Sequence, residues 1–304
     1  MSDRARGSGY RDAKQAPRRG LLDSLFAPKA PLVSMPKVRV SIGRGVAVAF
    51  ATPMLAIGTL GFVAAVWFVL LTVGYRGSPY DLLTLSAIAP VGSFGDAAVV
   101  RGLFGVAASQ FAVIALVVVR GALTGLLAGI VVDVLRGSAS RWSLVRGLKA
   151  VPAGILGSVL AFMAAFALST AGLLLGAAFS QITQLAAPIL GVYLFGFAPA
   201  VAAHDQLGAA ASLAKGVRAA RLPGGGNVLF AAAFVLLVIF TQLGPAVAGA
   251  AGARIDANPS IGVWAYVFAI NIVQVGMFVA LCYRYLSIAA DVPEPPPRSA
   301  ARRR

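Results

Sequence analysis

Fifty-four consecutive residues, Ala150–Ala203, pass without one charged side chain. About 20 apolar residues in a helix cross the ~30 Å hydrocarbon core of a bilayer. The stretch therefore predicts two membrane-crossing helices joined by a tight turn, which the sequence places near Ser180-Gln181. The rest of the chain has the same character. Over 304 residues it is 59% hydrophobic and 12% charged, with a mean hydropathy of +0.86. A soluble domain normally carries about 25% charge. This composition excludes a soluble globular domain, and it excludes disorder throughout, which requires low hydrophobicity.

Four more apolar runs flank that stretch. They are Gly45–Val73, with Pro53 near its start, Gly102–Val132, which contains Arg120, Val228–Ala251 and Ile261–Leu281. The expected fold is an all-α, polytopic membrane protein with six transmembrane helices in residues 38–287. Tyr283-Arg284-Tyr285 reads as an interfacial belt closing the sixth span. A basic tail at 1–37 and a Pro/Arg-rich tail at 288–304 are expected to be disordered and cytoplasmic. Between the first two spans, Gly74–Arg101 holds the apolar stretch Leu82–Val91, too short to cross. It is expected to be interfacial or re-entrant. A cleavable signal peptide is not expected, because the first 44 residues are polar and basic and the first apolar run is too long for one. The Arg18-Arg19 pair lies some 25 residues ahead of that run, too far for a twin-arginine signal.

Lys and Arg number 26 against 10 Asp and Glu, a net charge of +16. The cations are not spread over a folded basic face, so nucleic acid is not an expected partner. They fall in alternate loops. With six spans, 22 lie in the N-tail, the second-to-third and fourth-to-fifth connections and the C-tail, while 3 (Arg76, Arg101 and Arg254) lie on the other side. Positive residues stay inside, which places both termini in the cytoplasm of a bacterial inner membrane. The abundance of Ala, Gly and Arg fits GC-rich bacterial coding.

Three short stretches share one pattern: Ser41-Ile42-Gly43-Arg44-Gly45-Val46, Ser143-Leu144-Val145-Arg146-Gly147-Leu148 and Ser212-Leu213-Ala214-Lys215-Gly216-Val217. Each lies just before an odd-numbered span. They divide the chain into three helical hairpins, each preceded by a basic amphipathic segment. Chance similarity in an Ala/Gly/Arg-rich chain is the alternative. As interfacial helices, Ser138–Lys149 and Gly208–Arg221 would present Arg141, Arg146, Lys149, Lys215 and Arg218 to anionic lipid headgroups.

Inside the spans, Arg120 is either a buried functional charge or the cytoplasmic end of the second span, since Gly102–Val119 is nearly long enough to cross. Gly121, Gly125 and Gly129 form a GxxxGxxxG series, which favours close helix packing. Gln110, Gln242, Asn271 and Gln274 are amides expected to bond between helices or to line a path. No Asp or Glu lies deep in a span, which argues against ion-coupled transport. Pro188 and Pro199 predict kinks in the fourth span, and His204-Asp205 reads as a solvated pair at its cytoplasmic end. One His and one Cys, His204 and Cys282, cannot build a zinc site. With no GxSxG elbow and no phosphate-binding loop, neither a serine hydrolase nor a self-powered transporter is expected. No cofactor is implied.

Trp142-Ser143-Leu144-Val145-Arg146-Gly147, Phe197–Ala203 and Ala210–Arg218 carry a resemblance. Over about residues 100–285 the chain resembles the membrane domain attached to some glycerophosphoryl diester phosphodiesterases, and the six-helix proteins allied to it. Their catalytic domain is absent, so the resemblance implies a membrane module and no enzymatic residue. The functional expectation is a non-enzymatic scaffold or accessory module that contacts anionic lipid. The alternative is a permease subunit, associated with other membrane subunits and energised by a separate ATPase.

Overall fold

Glycine and proline set most of the helix boundaries. In the computed structural model, which describes residues 35–72, 114, 117–138, 142–222, 226–250 and 261–292, all regular secondary structure is helical. In chain order the helices are α1 (Val38–Ala51), α2 (Pro53–Thr72), α3 (Val117–Leu135), α4 (Trp142–Leu175), α5 (Ala177–Phe195), α6 (Ala198–Asp205), α7 (Ala209–Ala220), α8 (Asn227–Ala250) and α9 (Ile261–Ile288). A 3-10 turn, Ala289–Asp291, follows α9. Residues 1–34 and 293–304 of the two tails, the loop Gly74–Arg101 and the start of the second span at Gly102 lie outside the described residues.

By length and composition, four of these stretches suffice to cross a membrane: α3, α4, the run Gln181–Asp205 that joins α5 to α6, and α9 with its 3-10 turn. The pair α1–α2 makes a fifth if it is one broken span. The outward faces of the long helices are apolar. Ile57, Phe68, Met163, Phe166 and Leu174 are 52–84% exposed. A chain in water would place polar groups there, so these faces are compatible with burial in lipid.

Three boundaries differ from the sequence expectation. The stretch Gly45–Val73 is not one straight helix. Pro53 starts α2 with no N–H to donate, and the axes of α1 and α2 meet at 79° across Thr52. The turn between the third and fourth spans falls at Gly176, not at Ser180-Gln181. Gly176 has φ of +109°, a region that side chains disfavour, and it lets α4 fold back directly onto α5. Finally, Trp142–Lys149 is not a separate interfacial helix. It forms the first turns of α4, whose 34 residues run unbroken through Pro152. At about 1.5 Å per residue, α4 is near 50 Å long and outreaches the hydrocarbon core.

Helix α9 is the centre of the bundle. Its residues Val275–Cys282 are buried without interruption, so no face of that stretch meets solvent or lipid. Helix α1 packs along it, with α2, α6 and α8 also in contact. Leu55, Thr59 and Val63 form the inward stripe of α2 at four-residue spacing, and Trp67 meets Trp264 edge to face at 5.2 Å. Helix α4 gathers α5, α6 and α7. A break at Gly196–Phe197 separates α5 from α6, and Pro199 sits in the first turn of α6. Pro188 lies within α5.

Candidate functional site

In each of the three repeated stretches the serine and the glycine four residues after it face a neighbouring helix. Ser41, Ser143 and Ser212 are each wholly buried. The glycine four residues later lies on the same helix face. A Cβ added to Gly45 would come 2.3 Å from Gly276 O on α9. One on Gly147 would come 2.4 Å from Leu126 O on α3, and one on Gly216 would come 3.1 Å from Ala198 N on α6. Each copy is therefore a Ser-x3-Gly face on which two backbones approach closely. The partners of the second and third copies, α3 and α6, end the helices that precede them in the chain. The partner of the first is the last helix, α9.

Gly121, Gly125 and Gly129 form the matching surface of α3. Their added Cβ atoms would lie 2.5 Å from Ile155 Cα, 2.5 Å from Val151 Cα and 2.2 Å from Gly147 N on α4. Thr124, at the same crossing, returns its hydroxyl to Gly121 O at 2.8 Å. Beyond it, Asp133 accepts from Arg146 across the α3–α4 pair.

The densest polar cluster joins α6, α7, α8 and α9. Asp205, at the C-terminus of α6, takes Lys215 Nζ of α7 at 3.1 Å on Oδ2. The same oxygen accepts the hydroxyl of Tyr285 from α9, while His204 Nδ1 lies 2.5 Å from Oδ1. The His204 ring packs edge-on to Tyr285 at 5.8 Å. Beside Tyr285, the buried guanidinium of Arg284 donates to Pro36 O at 2.8 Å, Ser41 Oγ at 3.2 Å and Asn227 Oδ1 at 2.8 Å, with Met35 Sδ at 3.1 Å. It also lies over the Phe230 ring. Asn227 in turn donates to Ala220 O at the end of α7. Two adjacent residues of α9 thus reach α7, one through Asp205 to Lys215 at mid-helix, the other through Asn227 to Ala220 at its end.

This placement revises several expectations. Arg284 and Tyr285 are wholly buried and do not form an interfacial belt. The partners that bury them come from 248 and 80 residues away in the chain, beyond the reach of any local pattern. His204-Asp205 is not a solvated pair, since side-chain exposures are 22% and 15%. Lys215 is turned inward onto Asp205 and is 5% exposed, so it does not face lipid headgroups. Arg146 is one-third exposed and committed to Asp133. Of the other cations expected to meet lipid, Lys149 is exposed and Arg218 is half-buried, and Arg141 lies outside the described residues.

Arg120 is buried near the start of α3, far along the helix from Asp133. Asn271 and Gln274 are buried in α9, where Asn271 donates to Val267 O of its own helix at 2.9 Å. Gln110 and the side chain of Gln242 lie outside the described residues. Cys282 is buried in the core of α9. Among the described residues, no group of three His, Cys, Asp or Glu side chains could hold a metal ion. Comparison with protein-family models, curated proteins and solved structures finds no match for this chain.

Proposed function

We propose that the chain is a six-span, non-enzymatic module of a bacterial inner membrane, with both termini cytoplasmic and a scaffolding or accessory role at the anionic lipid surface. In this reading the spans are α1–α2, a second ending in α3, α4, α5–α6, α8 and α9, and the three hairpins are repeats. The apolar outward faces support the membrane assignment. The 22-to-3 division of cations supports the orientation.

The observation that carries the scaffold reading is the use made of the reactive groups. Asp205, Lys215, His204, Tyr285 and Arg284 are committed to one another or to backbone and amide groups of neighbouring helices. Such a network ties helix ends into a fixed collar. Lys149 is exposed and Arg218 half-buried, and an anionic leaflet attracts a cation near its surface by about 1 kcal/mol. The test is binding of the purified protein to phosphatidylglycerol vesicles. The expected result is retention that falls as salt rises. Equal retention by phosphatidylcholine at all salt concentrations would overturn the reading.

A further inference from the structure

The first Ser-x3-Gly copy differs from the other two in what its cation meets. In the second and third copies an aspartate of the preceding helix closes the basic residue: Asp133 on Arg146, Asp205 on Lys215. Helix α9 presents a tyrosine to the first copy instead. Arg44 is exposed, its guanidinium carbon lies 4.5 Å from the centroid of the Tyr283 ring, and its Nη1 donates to Tyr283 Oη at 3.2 Å. Because Oη accepts this bond, its own hydrogen is left to donate elsewhere. The remaining N–H groups of the guanidinium lie beside it in a planar fork. A cationic fork with an adjacent hydroxyl donor suits the oxygens of a phosphodiester.

The surroundings select an amphiphile with a negative head. Lys37, the residue before α1, is exposed too and adds a second cation at the start of this helix. Among the described residues, a side chain at Gly43 would meet nothing within 4 Å. The sequence has no Asp or Glu from Ser24 to Tyr80. After Arg44 the outward residues are apolar: Phe50, Met54, Ile57 and Leu60 are 45–68% exposed.

We infer that the edge between α1 and α9, at Arg44 and Tyr283, binds the phosphodiester head of an anionic phospholipid, whose acyl chains lie along the outward face of α1 and α2. In the first copy the lipid phosphate takes the place that a carboxylate holds in the other two. The inference rests on the lipid-contact reading above and assigns it a site that Lys149 and Arg218 do not share.

The experiment uses the full-length protein in detergent with a fluorescent phosphatidylglycerol, and phosphatidylcholine as the neutral competitor. Loss of a charge-assisted hydrogen bond lowers affinity about tenfold, the effect expected of Arg44→Gln. Tyr283→Phe keeps the ring and removes the hydroxyl, for a loss of about threefold. Both residues reach the surface, so melting temperatures should stay near wild type. Lys149→Gln and Arg218→Gln should weaken binding less than Arg44→Gln does. Millimolar glycerophosphoglycerol, the phosphodiester head without its chains, should not displace the lipid. If glycerophosphoglycerol displaces it, the occupant is a small anion and the inference falls. If Arg44→Gln binds normally while Lys149→Gln or Arg218→Gln weakens binding, the inference falls and the general lipid reading stands. If wild type prefers neither lipid, both fall.

Discussion

Gly129→Ala tests the packing of α3 on α4 with a single methyl group. That methyl would lie 2.2 Å from Gly147 N, 2.4 Å from Gly147 Cα and 2.6 Å from Ser143 O. All three are backbone atoms, so no rotamer change relieves the contact. Ordinary van der Waals contact begins near 3.4 Å, so the two helices must part by about 1 Å at this point. The parting cannot stay local, because the same crossing continues through Gly125 on Val151 and Gly121 on Ile155, each with 2.5 Å of clearance for a Cβ. Overpacking of this kind costs about 1–3 kcal/mol. Alanine recovers up to about 1 kcal/mol of helix propensity. The net loss lies between about 0 and 3 kcal/mol, with a midpoint near 1.5 kcal/mol. Gly58→Ala and Gly61→Ala on α2 are the controls, because a Cβ at either position meets nothing within 4 Å. They should be neutral or stabilising by up to about 1 kcal/mol. Unfolding of the purified protein in mixed detergent, followed by far-UV circular dichroism against SDS, reads the difference. A Gly129→Ala protein as stable as wild type, or controls that lose as much, would refute the close α3–α4 approach.

Other outcomes follow from the polar cluster. Arg284→Lys should lose about 2–4 kcal/mol in the same assay, since one ammonium cannot reproduce a fork that reaches Pro36, Ser41 and Asn227 together. Lys215→Met should lose about 1–3 kcal/mol by leaving the Asp205 carboxylate short of a partner, and adding Asp205→Asn should restore part of that loss. Asp133 and Arg146, with Arg146 one-third exposed, should couple by no more than about 1 kcal/mol in a double-mutant cycle. A larger coupling would mean that the pair is less accessible to water than its exposure implies.

The sequence made the helices legible and left their faces ambiguous. The start of α8 at Asn227 falls within a residue of the apolar run that predicts it. Length and hydropathy are local quantities, and they suffice for that. What they do not encode is the neighbour. The Ser-x3-Gly stretches read as basic interfacial segments because their charges are conspicuous. Their serines and glycines, which make the contacts, carry little hydropathy signal. The GxxxGxxxG series on α3 was legible because repeated glycine at that spacing is itself a packing signal. Arg284 and Tyr285 misled for a physical reason: a charged and aromatic residue at a span end suits a membrane interface as well as a protein interior. Only the approach of Pro36, Asn227 and Asp205 decides between them.

Membrane orientation carries the functional account, and cysteine labelling in intact cells tests it most directly. In a Cys282→Ser background, single cysteines replace Arg76, Lys149, Arg254 and Ala300, and a membrane-impermeant maleimide is added outside. The account predicts that positions 76 and 254 react at once, while 149 and 300 react only after the membrane is opened. Labelling of position 300 or 149 in sealed cells would contradict it.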